Sequence, residues 1–378
     1  MGFAMRGKFA LLTACAALAG CEGQLSAAQG LGEKLALIEL PPGFEISVYA
    51  EGVENARQLA LGERGTVFAG SRKAGKVHAV VDSDGDGAAD KVYLIDDGLS
   101  MPSGIAFRDG SLYVAAVDRI LRYDGIEDAL DNPPDPVLVT GALPDKTHHG
   151  WKYLRFGPDG LLYVPVGAPC NVCDEPGFAE IRRLSADGSG METYARGVRN
   201  SVGMAFHPGT GELWLTDNGR DMLGDDLPGD ELNHASRAGL HFGFPYCHQG
   251  DSPDPEYGAG KSCGDYTPPA LTLGAHVAAL GLTFYTGNTF PPAYEQQLFI
   301  AQHGSWNRSE KVGYNVLLVR FGNGGQPAGS EVFAAGWLQG QDNWGRPNDV
   351  LQMPDGSLLI SDDQMGAIYR ITYSGESA

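Results

Sequence analysis

Apolar and polar positions in this chain fall into short runs, and the runs return in a fixed order. A polar turn followed by an apolar-aromatic strand start occurs six times. The copies read Glu63-Arg64-Gly65-Thr66-Val67-Phe68, Arg108-Asp109-Gly110-Ser111-Leu112-Tyr113, Pro158-Asp159-Gly160-Leu161-Leu162-Tyr163, Gly211-Glu212-Leu213-Trp214, Glu295-Gln296-Gln297-Leu298-Phe299 and Pro354-Asp355-Gly356-Ser357-Leu358-Leu359. Their last residues are mostly about 50 positions apart, which is room for four short strands and their turns. After most copies comes a second run, at 77–80, 120–123, 181–184, 316–319 and 368–371, and alternation within several of these predicts half-buried strands. No long amphipathic helical pattern competes. The expectation is an all-β fold, a six-bladed β-propeller with four-stranded antiparallel blades, over residues 41–375. The run 44–49 precedes the first unit and can supply the outer strand of the last blade, which closes the ring and leaves no unpaired edge. The long interval before Phe299 predicts an insertion over roughly 221–275, rich in Gly, Pro, Asp and His.

Composition narrows the function classes. With 43% hydrophobic and 20% charged residues the chain is an ordinary globular protein, and its formal net charge of -20 argues against binding nucleic acid or an anionic membrane through charge. At the N-terminus Arg6 and Lys8 precede an apolar run over 9–19, too short to span a bilayer as a mature helix. The run ends Leu18-Ala19-Gly20-Cys21, which resembles a bacterial lipoprotein cleavage box. Residues 1–20 then read as a signal peptide, Cys21 as the lipidated residue and 21–40 as a tether. An ordinary secretory signal cut nearby is the plainer alternative. Either way export is expected, to the periplasm or cell envelope, with membrane contact only through a lipid anchor.

Four cysteines remain in the folded part. In an oxidising compartment an even count favours disulfides, and sequence proximity favours Cys170 with Cys173 and Cys247 with Cys263. Zinc is the rival, but no second CxxC or HxxxH partner is present.

The strand just before each repeated phrase should be the innermost of its blade. The starts of these strands read Arg57-Gln58, Pro102-Ser103, His148-His149, Arg199-Asn200, Ala279-Leu280 and Arg346-Pro347-Asn348. In a propeller they converge on one mouth of the central channel. Arg57, His149, Arg199, Asn200, Arg346 and Asn348 should therefore share a pocket. Guanidinium groups suit carboxylates or phosphates, and a histidine beside them is a candidate general base.

These residues carry a family resemblance. The run His148-His149-Gly150-Trp151-Lys152-Tyr153-Leu154 resembles the His-containing strand of soluble PQQ-dependent sugar dehydrogenases. Arg199-Asn200 resembles their Arg-Asn pair, and Asp217-Asn218-Gly219-Arg220 with Asp230-Glu231-Leu232-Asn233 their calcium-bearing loop. His303-Gly304-Ser305-Trp306-Asn307-Arg308, Gly345-Arg346-Pro347-Asn348-Asp349-Val350 and Cys170-Asn171-Val172-Cys173 are similar to the sorbosone dehydrogenase-like branch. The resemblance implies PQQ paired by the arginines, and Ca2+ held by backbone carbonyls at Gly219 and Arg220. His149 would take a proton from a sugar or aldehyde-hydrate hydroxyl while hydride moves to the quinone. Arg199 would stabilise negative charge on the reduced cofactor, and Trp306 would cover a planar ring or else be a core aromatic. Without a haem motif, electrons pass to a separate acceptor.

The chain departs from the glucose-oxidising members at two places. Pro102-Ser103 stands where they have a glutamine, and Arg346-Pro347-Asn348 where they have Arg-x-Arg. Arg57 or Arg308 would have to compensate. A second metal motif, Asp82-Ser83-Asp84-Gly85-Asp86, places carboxylates at alternate positions as in a calcium loop, with Asp90 as the closing ligand. An acidic hairpin turn is the plainer alternative. A calcium-dependent lactonase-type hydrolase and a non-catalytic binding propeller are the other functions such a scaffold hosts.

Overall fold

The computed structural model describes residues 30–322 and 324–375. The expected signal peptide and lipidation site, including Cys21, lie outside the described residues. The chain divides after Leu37. In the first unit residues 30–35 are helical, and no described helix is long and apolar enough to cross a membrane. The second unit is the six-bladed propeller, six four-stranded antiparallel sheets, one of which gains a fifth strand. Its innermost strands are Ala56–Leu61, Gly104–Arg108, Arg155–Phe156, Gly203–Phe206, Ala279–Phe284 and Pro347–Gln352. The second strands are Val67–Ser71, Ser111–Ala115, Leu162–Val166, Leu213–Asp217, Leu298–Gln302 and Leu358–Asp362. Ring closure follows the sequence expectation: Phe44–Ala50 pairs antiparallel with Ala367–Tyr373, with Phe44 opposite Tyr373. Glu39 also bridges to Ala335, so the last residues of the expected tether belong to the propeller.

The repeated phrase is explained by how blades pack. All six landmark residues are buried. At four consecutive junctions the landmark of one blade meets a phenylalanine near the end of the next inner strand. Phe68 contacts Phe107, Tyr113 contacts Phe156, Tyr163 contacts Phe206 and Trp214 contacts Phe284, at ring separations of 5.6, 5.1, 5.1 and 6.3 Å. Such pairs add about 0.5–1.5 kcal/mol each beyond their buried area. Nearer the axis, inner strands touch at glycines. A Cβ at Gly203 would lie 2.0 Å from the Leu280 carbonyl oxygen, and one at Gly104 2.9 Å from the Lys152 carbonyl carbon.

The insertion is shorter than its sequence outline. Gly229–Ala235 and Leu271–Ala275 are the third and fourth strands of blade 4, leaving 236–270 as the excursion. Within it Leu240–His241 joins blade 3 as the parallel fifth strand. The strand Gly229–Ala235 lacks an apolar signature because Asp230, Glu231 and Asn233 are all buried and hydrogen-bonded. Both disulfides form as proximity suggests, Cys170 with Cys173 and Cys247 with Cys263, which removes the zinc alternative.

Candidate active site

Inner-strand entrances converge on a cavity of about 260 Å³, lined by Arg57, His149, Arg199, Asn200 and Arg346 among others. His149 is held in a turn, not in a strand: its φ is +46° and the blade-3 inner strand begins only at Arg155. A left-handed backbone at a non-glycine residue costs free energy and marks functional sites often enough to be informative. Room for the ring comes from Gly167, where a Cβ would lie 2.6 Å from the His149 Cβ. The Nδ1 of His149 is 2.8 Å from the Ala168 carbonyl oxygen, which cannot donate, so Nδ1 carries the proton and Nε2 is left with a lone pair. Burial, then the positive charge of Arg199 and the neighbouring His148, hold the imidazole well below its ordinary pKa. It is a neutral base at physiological pH.

Arg199, only 3% exposed, is saturated by the protein. Nε donates to the Asn171 carbonyl, Nη1 to the carbonyls of Asn218 and Gly219, and Nη2 to the Asn171 side chain and Asp221, at 2.8–3.2 Å. Its backbone N–H and that of Asn200 donate to the buried Asp217 carboxylate, which fixes the entrance of this strand. On the opposite side Arg57 pairs with Asp363 at 2.7 Å, and His303 Nε2 lies 2.8 Å from the same carboxylate. Burial opposes ionisation of Asp363, but His303, Arg57 and Arg346 override it and hold the carboxyl well below the usual range. Burial also pushes His303 down to about 4, so it stays neutral. Arg346 donates to the carbonyls of His303 and Gly304.

Several expected site residues stand elsewhere. Asn348 is buried beneath the pocket, where its amide oxygen, in the orientation that satisfies both groups, accepts from the Arg57 guanidinium at 3.1 Å. Arg308 does not reach the pocket and compensates for nothing there. It donates to the Asp225 carbonyl and pairs with Asp226, tying the loop after blade 5's second strand to the loop 221–228. Gly219 lines the pocket. The Arg220 side chain instead turns into the insertion and pairs with Asp254 and Glu256. Trp306 is 68% exposed at the cavity wall, so it is not a core aromatic. In the first-blade loop Asp82, Asp84 and Asp86 bring a ligand atom each to within 4.8 Å of one another. Asp90 does not join them: its carboxylate accepts from the backbone and hydroxyl of Ser83.

Sequence reasoning missed other lining residues, among them Arg72, Asp221 and His276, and named Asn218 only as part of the calcium-bearing loop. A signal for some was present. Arg72, Asn218, His303 and Asp363 each stand one position past the end of a second strand. Antiparallel pairing puts that exit beside the inner-strand entrance, as with Ala56 opposite Ser71 and Ala279 opposite Gln302.

The chain resembles known proteins over nearly its whole length. An uncharacterized protein of Borreliella burgdorferi is 32% identical over 351 residues, covering 89% of this chain and 91% of that one. A pyrroloquinoline quinone-dependent sugar dehydrogenase of Hypocrea jecorina is 23% identical over 402 residues, covering 88% and 89%. Among solved structures, the calcium structure of a Trichoderma reesei Carbohydrate-Active Enzymes Family AA12 protein has the same fold, with a TM-score of 0.78 at 21% identity, covering 89% and 97%. Residues 38–374 match the TrAA12-like family, and the chain belongs to it.

Proposed function

We propose that this protein is a PQQ- and Ca2+-dependent dehydrogenase that oxidises a sugar or a related aldehyde. The observation that carries the reading is His149, a buried neutral imidazole with a free Nε2, set in a pocket that also holds Arg57, Arg72, Arg199 and Arg346. The relative from Hypocrea jecorina is a PQQ-dependent sugar dehydrogenase by name, which supports the same cofactor here.

The donor set fits a polycarboxylate. Four guanidinium groups line one cavity of a chain whose net charge is -20. Asn200 adds an amide, and the Nε of Arg72 is a buried donor without a partner. For calcium, the carbonyls of Gly219 and Arg220 supply the oxygen ligands that ion prefers. The Gly219 carbonyl already accepts from Arg199, but a carbonyl oxygen has a second lone pair. The chemistry supplied by bound PQQ and calcium would be acceptance of a hydride at a polarised quinone carbonyl.

The chain's own residues do the rest. His149 Nε2 takes the hydroxyl proton of the substrate, and the Ala168 carbonyl holds the ring in the tautomer that allows it. Arg199 supplies positive charge at a fixed position, which favours a negative charge developing nearby. Arg346 and Arg57, the latter already paired with Asp363, would lie beside the cofactor's carboxylates, and Trp306 would cover a planar ring. The His303–Arg308 and Gly345–Val350 phrases favour a sorbosone dehydrogenase-like substrate preference. Calcium at Asp82, Asp84 and Asp86 would be structural. Export and a lipid anchor at Cys21 belong to the same proposal, with electrons passing to a separate acceptor.

Calorimetric titration of the purified chain with PQQ in the presence of calcium tests the cofactor assignment. One PQQ per chain is expected. No binding would overturn it.

A further inference from the structure

We propose that Arg72, laid on Trp151, is a dedicated carboxylate receptor in the pocket, serving either a cofactor carboxylate or the carboxylate of an acidic sugar. The proposal deepens the dehydrogenase reading and rests on it for the identity of the cofactor arm.

The four pocket arginines are not equivalent. Arg57 is ion-paired with Asp363, and Arg199 with Asp221, with all its donors engaged. Arg346 spends two donors on backbone carbonyls. The Arg72 guanidinium has no hydrogen-bond or ion-pair partner among the described residues, and its Nε is buried and unpartnered. Its central carbon lies 3.7 Å from the centroid of the Trp151 ring. The Trp151 ring in turn meets the His149 ring edge-on at 5.7 Å. A cation on an aromatic face is held in place while its N–H fork stays open, which suits bidentate recognition of a planar carboxylate.

The position is electrostatically unfavourable without a ligand. Burial, then repulsion from Arg57, push Arg72 down to about 10, so it remains charged at neutral pH. Its charge also helps to depress the pKa of His149. Asp363 offsets the burial and repulsion only in part, and a half-buried cation beside a base is stabilised further when an anion joins it.

The test uses the full chain and three probes: PQQ with calcium, D-glucuronate, and D-glucose as the neutral control. Binding is followed by calorimetry and tryptophan fluorescence in the wild type, Arg72→Gln and Arg72→Lys, with thermal melts to confirm folding. If the partner is the cofactor, Arg72→Gln weakens PQQ binding about tenfold or more, as loss of a charge-assisted bond implies. If the partner is the substrate, PQQ affinity holds while glucuronate affinity falls about tenfold and glucose is unaffected. Arg72→Lys keeps the charge but not the planar fork and falls between in either case. The glucuronate titration is repeated without PQQ, so failure of the cofactor reading leaves this arm intact. The proposal is overturned if Arg72→Gln binds PQQ and glucuronate as the wild type does, or if the wild type binds neither.

Discussion

Asn171 and Arg199 are joined by two hydrogen bonds of 2.8 Å, one to the Asn171 main-chain carbonyl and one to its side-chain oxygen. The same side chain accepts from the Asp221 backbone at 2.8 Å and donates to the Asp221 carbonyl at 3.1 Å. Asn171 sits inside the Cys170–Cys173 disulfide loop. A short covalent ring therefore sets the position of the pocket's most constrained cation and of its counterion.

Asn171→Ala removes the side-chain half of this bracket and leaves the Arg199–Asp221 ion pair. Net hydrogen-bond contributions predict a stability loss of about 1–3 kcal/mol. Turnover should fall by roughly tenfold, equivalent to about 1.4 kcal/mol of barrier, as Arg199 loses its fixed position. Thermal melts and steady-state rates on the same preparation check both.

The pH profile follows from His149. The base form is neutral, so activity is present above the imidazole pKa and lost as pH falls through it. Burial and the Arg199 charge hold that pKa well below 6.5, which places the acid limb of kcat/KM below that pH. Arg199→Gln removes one depressing charge. The limb should then move upward toward neutrality, whatever the drop in absolute rate. A limb that stays in place would show that Arg199 does not act on His149.

Gly203→Ala tests how the blades approach the axis. The new Cβ would meet the Leu280 carbonyl oxygen at 2.0 Å, a backbone atom that cannot swing aside. Overpacking of this kind costs about 1–3 kcal/mol. Denaturant unfolding should show a lower midpoint with an unchanged slope.

The Cys247–Cys263 disulfide and the Arg220–Asp254 pair pin the insertion. Hydrogen bonds from His248 and Arg220 outweigh burial and hold the Asp254 carboxyl down to about 2, so its contribution is present above pH ~4 and is lost as pH falls from there through about 2. Opening the 16-residue separation with Cys247→Ser and Cys263→Ser should destabilise by up to about 3 kcal/mol. Limited proteolysis should find new cuts within 236–270 while the blades stay protected.

The ring of blades is legible because every landmark residue is buried, at four consecutive junctions against the next blade, and that burial writes a periodic signal. Arg57, His149, Arg199 and Arg346 are legible for a related reason, since each stands at or a few positions before the entrance of an inner strand. Arg72 is not, because it belongs to a strand exit, which becomes a neighbour of the entrance only through antiparallel pairing. The blade-4 strand Gly229–Ala235 is hidden in the sequence because its buried positions include Asp230, Glu231 and Asn233, satisfied by contacts that no local pattern encodes. Arg308 was misplaced for the opposite reason. A cation near a family motif was assigned to the pocket, while its partners, Asp225 and Asp226, lie more than 80 positions away.

The most direct test of the account is sugar oxidation by the chain reconstituted with PQQ and calcium, followed with an artificial electron acceptor over a panel of aldoses and aldehydes, beside His149→Ala. The wild type should turn over at least one of them. His149→Ala should bind PQQ as well as the wild type and lose turnover by roughly a hundredfold or more, the usual scale of a positioned base. Wild-type turnover unaffected by His149→Ala, or PQQ binding with no oxidation of any sugar or aldehyde, would contradict the account.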